Sequence, residues 1–598
     1  MLLACSLGAE PQVGPTEPGA ESLRPLEPRR TALEAQVPGE WRFDLRAPPT
    51  LAQQYLVDSD AVLASQAGAE VLAAGGNAID AAVTVAFVLA VVYPQAGNLG
   101  GGGFAVVRSA QGERAALDFR ETAPAAAERD MFLDAQGAPR RLPASAATST
   151  EPGPEASKTG HLAAGVPGSV AGLWELHRRF GSRPWAELLA PAIALAADGF
   201  TVDAELARSA AEAMPRLSRF AASRALFAPD GTPPAPGETL QNPDLARVLK
   251  RIAAEGRDGF YAGDTARLLL RELQRGGGLI RQRDLDAYQA RWREPIAFSY
   301  RGHTILSMPP PSSGGVALAL IAHTLEAYPL QELGWHSARH VHLLAEAMSR
   351  AFADRNSLLG DPDHVPVPLA QLLSPAYAQA RRGEIGERAT PSSLVRAGLA
   401  PPEGNHTTHF AVVDAAGGAV ALTTTINDSY GSGVVVEGAG FLLNDEMDDF
   451  TTKPGAPNLF GLVQGEANAI APGKRMLSSM APTLVLDGSG VVRLVAGARG
   501  GPRIISSTWQ VISNVLDFNM DVVQAVSAPR VHHQWQPEEL TVERGGLPEA
   551  TRTALQGLGH RLRAVPDLGN APAILRDPSG RGWTGIADPR KGGAAVGK

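Results

Sequence analysis

Residues 404–414, GNHTTHFAVVD, place two adjacent threonines between histidines at the head of an alternating, strand-like run. A threonine hydroxyl is a poor nucleophile unless a base lies beside it, so the first question is what Thr407 faces. HFAVVD, then Ala415, Ala416 and Gly417, then AVALTTT reads as a hairpin with a three-residue loop, in which Gly417 takes the left-handed turn position. That register sets Thr425 directly opposite Thr407, with Cβ atoms about 5 Å apart, close enough for one hydroxyl to hold the other. Threonine pairs also decorate strands without any chemical role, because β-branched residues suit a pleated surface. Spacing alone favours that plainer reading.

The elements that must position such a pair are legible in the rest of the chain. Its 598 residues, 44% hydrophobic and 19% charged, suffice for a large core in more than one layer. A net charge of -8 is small for this length and excludes a broad basic surface for nucleic acid. The apolar run 78–94 is interrupted by Asp80 and closed by Pro94, too short to cross a bilayer, and reads as a buried core helix. Apolar residues at three and four spacing predict helices over 62–76, 184–199 and 337–355. After residue 405 the pattern becomes short strands, THFAVVD, GAVALTTT, GAGFLLN, APTLVLDG and VVRLVAGA, with helices again around 504–526. Helices first and paired strands afterwards imply an α+β sandwich. Residues 8–50 are crowded with Pro, Glu, Gly and Arg and read as a tether, with the folded part starting near Tyr55. Residues 143–160 read as a surface loop.

Cys5 is the only cysteine, which excludes a disulfide framework and a cysteine-based zinc site. Its setting, MLLACSLG, resembles the end of a bacterial lipoprotein signal, without the basic n-region and most of the apolar h-region. The implied location is the periplasm or cell envelope of a bacterium, with a lipid anchor at Cys5.

A longer resemblance gives Thr407 a role. The blocks GNHTTHFAVVD, TTTINDSYGSG, LLNDEMDDF, KRMLSSMAPT and GARGGPRII, with GGNAIDAAV, YPQAGNLGGGGFAVVRS, LDFRETAPA, GVPGSVAGL and MPPPSSGGV upstream and APRVHHQW downstream, resemble the γ-glutamyltransferases. These belong to the N-terminal nucleophile hydrolases, and the resemblance runs from about residue 61 to 590. It implies a four-layer αββα sandwich formed jointly by two self-cleaved subunits, residues 55–406 and 407–598, after a leader and tether at 1–54. The cut falls between His406 and Thr407. Thr407 is then both a new N-terminus and the nucleophile, and its freed α-amine, with an ordinary pKa of roughly 7.7 to 8.0, is the base.

The same resemblance assigns a pocket. Arg120 matches the arginine that grips the substrate's α-carboxylate, a task suited to its planar fork. Ser478 and Ser479 match the hydroxyl donors to that carboxylate, and Asn427, Glu446 and Asp449 the residues that receive the α-ammonium. Without the family, NDEMDDF would read as a solvated acidic turn and SSM as an ordinary loop. Gly500 and Gly501 match the paired glycines whose N–H groups stabilise the tetrahedral oxyanion. Arg499 stands where many relatives have proline and is read as pointing outward. Phe460, in KPGAPNLFG, takes a tyrosine position in the lid of some relatives. The implied donors are glutathione and other γ-glutamyl compounds, the acceptors an amino acid, a dipeptide or water. No cofactor and no metal are implied.

Other features are read plainly. The glycines of GNLGGGGF feed a strand rather than a helix N-terminus, which argues against a phosphate loop. His532 and His533 are adjacent on an extended chain and face opposite ways, a structural role. MPPPSSGG is a rigid turn near the core. Two other functions compete: an acylase for glutaryl or cephalosporin side chains, and an uncleaved, non-catalytic binding protein at a membrane.

Overall fold

The strands on either side of Gly417 pair over their whole length, from Thr407 opposite Thr425 to Val413 opposite Ala419. Gly417 holds a φ of 84° in the loop between them. Asp414 stabilises the turn, its carboxylate accepting the N–H groups of Ala416 at 2.9 Å and Gly418 at 2.8 Å. The expected register is therefore the observed one. Alternation turns Phe410, Val412, Val420 and Leu422 into one core, and Ala411, Val413, Ala419 and Ala421 into another. Burying each large apolar side chain contributes roughly 1.5–3 kcal/mol. A one-residue slip would reverse every one of these faces, so the register of Thr407 is strongly specified.

This computed structural model describes residues 36–143, 153–395, 407–452 and 465–598. In chain order the strands of its two large sheets are β1 (Thr50–Ala52), β2 (Leu56–Ser59), β3 (Gly102–Arg108), β4 (Arg114–Asp118), β5 (Arg291–Arg293), β6 (Ile296–Tyr300) and β7 (His303–Ser307). The hairpin contributes β8 (Thr407–Val413) and β9 (Ala419–Thr425). There follow β10 (Thr483–Leu486), β11 (Val492–Ala496), β12 (Ala573–Arg576), β13 (Trp583–Ile586) and β14 (Ala594–Gly597). One sheet has the order β14-β2-β8-β9-β3-β4-β5, the other β1-β13-β12-β11-β10-β7-β6.

Helices cover the outer faces. On the hairpin sheet lie α1 (Val62–Ala73) and α2 (Ala78–Val92), packed on Val57, Val107, Phe410 and Val420. Every residue of α2 is buried, as its apolar run requires. The interrupting Asp80 is a cap: its carboxylate accepts the N–H of Asn77 at 2.9 Å and of Ser182 at 2.9 Å. On the second sheet lie α3 (Gly314–Leu325), α4 (Ala338–Leu358) and α5 (Arg503–Leu516). The result is an αββα sandwich, the expected mixed α+β class. The helix expected over 184–199 is Trp185–Asp198.

Both sheets combine strands from before and after residue 407. The later strands β14 and β8 flank the earlier β2, and β9 pairs with the earlier β3. In the second sheet β13 pairs with β1, and β10 with β7. A chain cut before Thr407 would thus remain joined by five strand ladders and a shared core.

Three expectations need correction. The folded chain begins before Tyr55: β1 pairs with β13, and the Trp41 indole N–H donates to the Ser527 carbonyl at 3.0 Å. The Pro-rich composition around so short a strand hides its pattern. GAGFLLN forms no regular strand: Gly438 and Gly440 take φ of 77° and 74°, and the segment makes isolated bridges from Leu442 to Val435 and from Leu443 to Gly100. The surface loop expected at 143–160 is described only at its ends, and the second of these is not on the surface: Ala156, Ser157 and Thr159 are buried, and the Leu142 N–H donates to the Pro154 carbonyl at 2.8 Å.

Candidate active site

Thr407 opens β8 on the face turned toward the second sheet, buried beside Thr425. The Asn427 N–H donates to Thr425 Oγ1 at 2.8 Å, with Asn427 at a φ of 72° where the chain turns out of β9. Asparagine is among the few residues that tolerate this left-handed conformation. Asn98 steadies the strand end, donating from Nδ2 to the Thr425 carbonyl at 2.8 Å and to Thr424 Oγ1 at 3.1 Å. The glycines before β3 serve the same packing: a Cβ on Gly101 would sit 2.1 Å from the Thr425 carbonyl oxygen, and one on Gly103 2.4 Å from that of Thr423. They admit a neighbouring backbone.

His409, two residues on and on the same face, bonds Thr423 Oγ1 through Nδ1 at 2.9 Å. Burial pushes its pKa down to about 3, so the ring is neutral and a poor proton acceptor. Gly497 leaves room for it, since a Cβ there would lie 2.2 Å from the ring.

The charged residues converge from two other segments. Arg120 follows β4 and is almost fully buried, held by its own N–H to Asp118 Oδ1 at 3.0 Å. Its Nη1 lies 2.7 Å from Glu446 Oε2 and 3.7 Å from Glu121 Oε2, and Nη2 pairs with the Asp449 carboxylate. Glu446 and Asp449 lie on one 3-10 turn, which spaces them onto a common side. Burial pushes the Glu446 carboxyl well above the usual carboxylate range, against the pull of Arg120, and the neighbouring acids add to the rise. Burial likewise pushes Glu121 up to about 8. Three acids around one guanidinium make a site deficient in positive charge. A zwitterion can exchange partners here, its carboxylate taking the guanidinium and its ammonium the acids.

Ser478 and Ser479 are positioned by the turn before α3. The N–H and Oγ of Ser313 each donate to the Ser478 carbonyl at 2.6 Å, and Ser312 Oγ donates to the Met480 carbonyl at 2.5 Å. Arg355, from α4, donates to Ser313 Oγ at 3.0 Å and Ser479 Oγ at 3.3 Å. Asn468 ties this segment to the acidic turn, donating to the Asp449 carbonyl at 2.7 Å and accepting the Leu477 N–H at 2.9 Å. The rigid turn in MPPPSSGG is thus a scaffold for the serines. Sequence reasoning missed the supporting roles of Asn98, Ser313, Arg355 and Asn468. Asn98 and Ser313 stand in the quoted blocks YPQAGNLGGGGFAVVRS and MPPPSSGGV, whose spacing gives no sign of these contacts.

Arg120, Thr407, Thr425, Asn427, Glu446, Asp449, Ser478 and Ser479 line one small cavity, completed by Met480 and Ile504. Gly500 and Gly501 are not among the lining residues. They immediately precede α5, whose Ile504 reaches the cavity, and hold φ of 125° and 60°. Arg499 does not point outward. It is buried against Asp60, with Nε 3.3 Å from Oδ2, and bonds the Tyr93 hydroxyl. An acid supplied by a residue far away in sequence holds it inside. His532 and His533 are structural: His532 Nδ1 bonds Ser506 Oγ at 2.9 Å, and His533 Nδ1 accepts the Trp535 N–H at 3.1 Å. Among the described residues no group of three or more His, Cys, Asp or Glu is arranged to hold a metal. His406 and the lid residue Phe460 lie outside the described residues.

Known proteins resemble this chain in sequence and fold. The family described as Gamma-glutamyltranspeptidase matches residues 64–598. A glutathione hydrolase proenzyme of Escherichia coli K12 is 43% identical over 589 residues, covering 95% of this chain and 98% of the relative. The acylase ACY 1 proenzyme of Pseudomonas sp. SE83 is 38% identical, covering 94% and 96%. The solved cephalosporin acylase of Bacillus halodurans superposes with a TM-score of 0.81 at 29% identity, covering 94% of this chain and 99% of that one. A family match over residues 64–598, with relatives of 43% and 38% identity that cover nearly the whole chain, leads to one conclusion: the chain belongs to the γ-glutamyltranspeptidase family.

Proposed function

We propose that this protein is a self-activating γ-glutamyl transferase and hydrolase. One observation carries the reading: Thr407 and Thr425 share a small cavity with Arg120, Glu446 and Asp449, which puts a nucleophile beside groups suited to an amino acid's zwitterionic head. In the precursor, Thr407 Oγ attacks the carbonyl carbon of His406, the acyl group moves from nitrogen to oxygen, and water hydrolyses the ester. The fragment that ends at His406, with β1 in it, and the fragment 407–598 remain a heterodimer. The freed α-amine of Thr407 then takes the Oγ proton as the oxygen attacks the γ-carbonyl of a donor such as glutathione. Gly500 and Gly501 N–H groups stabilise the oxyanion, and the Thr425 hydroxyl orients Oγ. The leaving amine departs with the proton, and the γ-glutamyl ester passes to water or to an amino acid or dipeptide amine. Arg120, Ser478 and Ser479 hold the donor's α-carboxylate; Asn427, Glu446 and Asp449 hold its α-ammonium. Phe460 belongs to a lid over the bound donor.

The similarity to acylases favours a second reading, a glutaryl amidase. The two differ in one group, because a glutaryl amide keeps the carboxylate and lacks the ammonium. A site that leaves buried acids unpaired rejects such an analogue strongly. The expected kcat/KM for a γ-glutamyl anilide exceeds that for the matching glutaryl anilide by about 30- to 150-fold, the equivalent of a lost charged hydrogen bond of roughly 2–3 kcal/mol. Parity, or a preference for glutaryl, would favour the acylase.

The raised Glu446 carboxyl has a consequence for pH. Its protonated form offers the ammonium no charge, so the donor's KM should rise as pH falls through the raised value. Glu446→Gln keeps the shape and removes the titration, so at a pH where the wild-type carboxylate is ionised its KM should be about 10-fold higher or more, near the loss of one charge-assisted contact, and flatter against pH. An unchanged slope in the variant would dissociate Glu446 from the ammonium.

The reading includes export to the cell envelope of a bacterium, with Cys5 as lipid anchor. No helix among the described residues is long and apolar enough to cross a membrane. Cys5 itself lies outside the described residues.

A further inference from the structure

Asp60 lies just after β2, its side chain almost wholly buried, and none of the steps above uses it. Its Oδ2 accepts the hydroxyl of Thr408 at 2.9 Å and lies 3.3 Å from Arg499 Nε. Its Oδ1 accepts the side-chain amide of Asn570 at 2.6 Å. Asn570 and Arg499 bond each other's backbones in both directions, at 2.8 and 3.1 Å. Arg499 also bonds the Tyr93 hydroxyl, with its guanidinium 5.4 Å from the centre of the Tyr93 ring.

The sequence neighbours of these partners give the network its meaning. Thr408 is one peptide from Thr407, and Arg499 is one peptide from Gly500. Strand alternation turns Thr408 away from the cavity, so Asp60 grips β8 from behind without touching a substrate. The Arg499 side chain reaches Asp60 from the segment that follows β11 of the other sheet. A single carboxylate therefore joins the nucleophile strand to the turn that precedes α5. Such a buried pair is weak evidence for stability, and its best-attested use is to fix geometry.

We propose that Asp60 is a positioning residue that sets the separation between Thr407 Oγ and the Gly500–Gly501 N–H groups by holding Thr408 and Arg499 on one carboxylate. The inference rests on the proposed function, in which those glycines receive the oxyanion. Misplacement by 1 Å far from the chemistry can cost about 100-fold in rate. Substrate binding should change little, because Arg120, Glu446 and Asp449 lie outside the network.

The test uses Thr408→Val, which keeps the side-chain shape, with Arg499→Met, Arg499→Lys and the Thr408→Val/Arg499→Met pair, after thermal unfolding has shown which variants fold. With a γ-glutamyl anilide, kcat should fall about 10-fold in Thr408→Val and about 100-fold in Arg499→Met, with KM within about twofold. Arg499→Lys should recover about tenfold over Arg499→Met, since it keeps a cation for Asp60. The double variant should be no slower than Arg499→Met, because contacts that act through one group are not additive. Backbone hydrogen exchange over residues 497–503, which needs no turnover, should rise in Thr408→Val. Unchanged kcat and unchanged exchange in Thr408→Val, or losses that multiply in the double variant, would overturn the proposal. A wild-type protein that leaves the anilide intact would instead count against the proposed function, and the exchange result would still decide the role of Asp60.

Discussion

A Thr407→Ala protein should remain one unbroken chain of 62.5 kDa and show no measurable γ-glutamyl turnover. The substitution removes the only atom proposed to attack, first at the His406 carbonyl and then at the donor. Uncut, the nitrogen of residue 407 stays an amide and cannot act as a base. Loss of a nucleophile that works as a unit with its base costs on the order of 10⁵-fold or more in kcat. The fold should survive, since register is held by Phe410, Val412, Val420 and Leu422 rather than by the hydroxyl at the strand end. Thr407→Ser retains an attacking oxygen and should retain cleavage and some activity. Denaturing mass measurement with an anilide assay checks both variants. An alanine variant cut at the same bond would remove Thr407 from the self-cleavage step.

Arg120 is the second position of large effect, because it is the cation among Glu121, Glu446 and Asp449. Arg120→Ala leaves buried acids without it, a loss of about 3–5 kcal/mol when one partner of a buried pair is removed. The pH dependence has a definite sign. Glu121 and Glu446 already have folded pKa values above their unfolded ones, so the folded state binds more protons and stability falls as pH rises. The loss begins near the ordinary glutamate value and, for Glu121, is complete above about 8. Losing the guanidinium raises both acids further and extends the decline to higher pH. The milder Arg120→Lys keeps a charge and loses the bidentate fork, so donor KM should rise roughly 10- to 100-fold, the equivalent of about 1.5–3 kcal/mol. Thermal unfolding from pH 5 to 9, with KM at each pH, measures both effects. A variant as stable as wild type at pH 8, with unchanged KM, would show that the guanidinium neither balances the acids nor holds the donor.

The parts of the site that were legible in the sequence are those set by local rules. A three-residue loop ending in glycine defined the hairpin, and the hairpin placed Thr425 opposite Thr407. The all-apolar stretch around Asp80 declared a buried helix, and the acid proved to be its cap. Convergence was not legible from spacing. Arg120, Glu446 and Ser478 are brought to one cavity by sheet order and by a serine turn, and only the family resemblance gathered them beforehand. Arg499 shows the limit most clearly: a charged residue beside two glycines reads as exposed until the fold supplies Asp60. The same holds for β1, whose three residues are too few to show alternation.

The central claim is that Thr407 becomes an N-terminus, and the intact mass of the purified, denatured wild-type protein tests it most directly. Two fragments that separate between His406 and Thr407 are expected, held together before denaturation by the interleaved sheets. A single unbroken chain, persisting under conditions where the protein is folded, would contradict self-activation and leave the cavity as a binding site for amino-acid-like zwitterions.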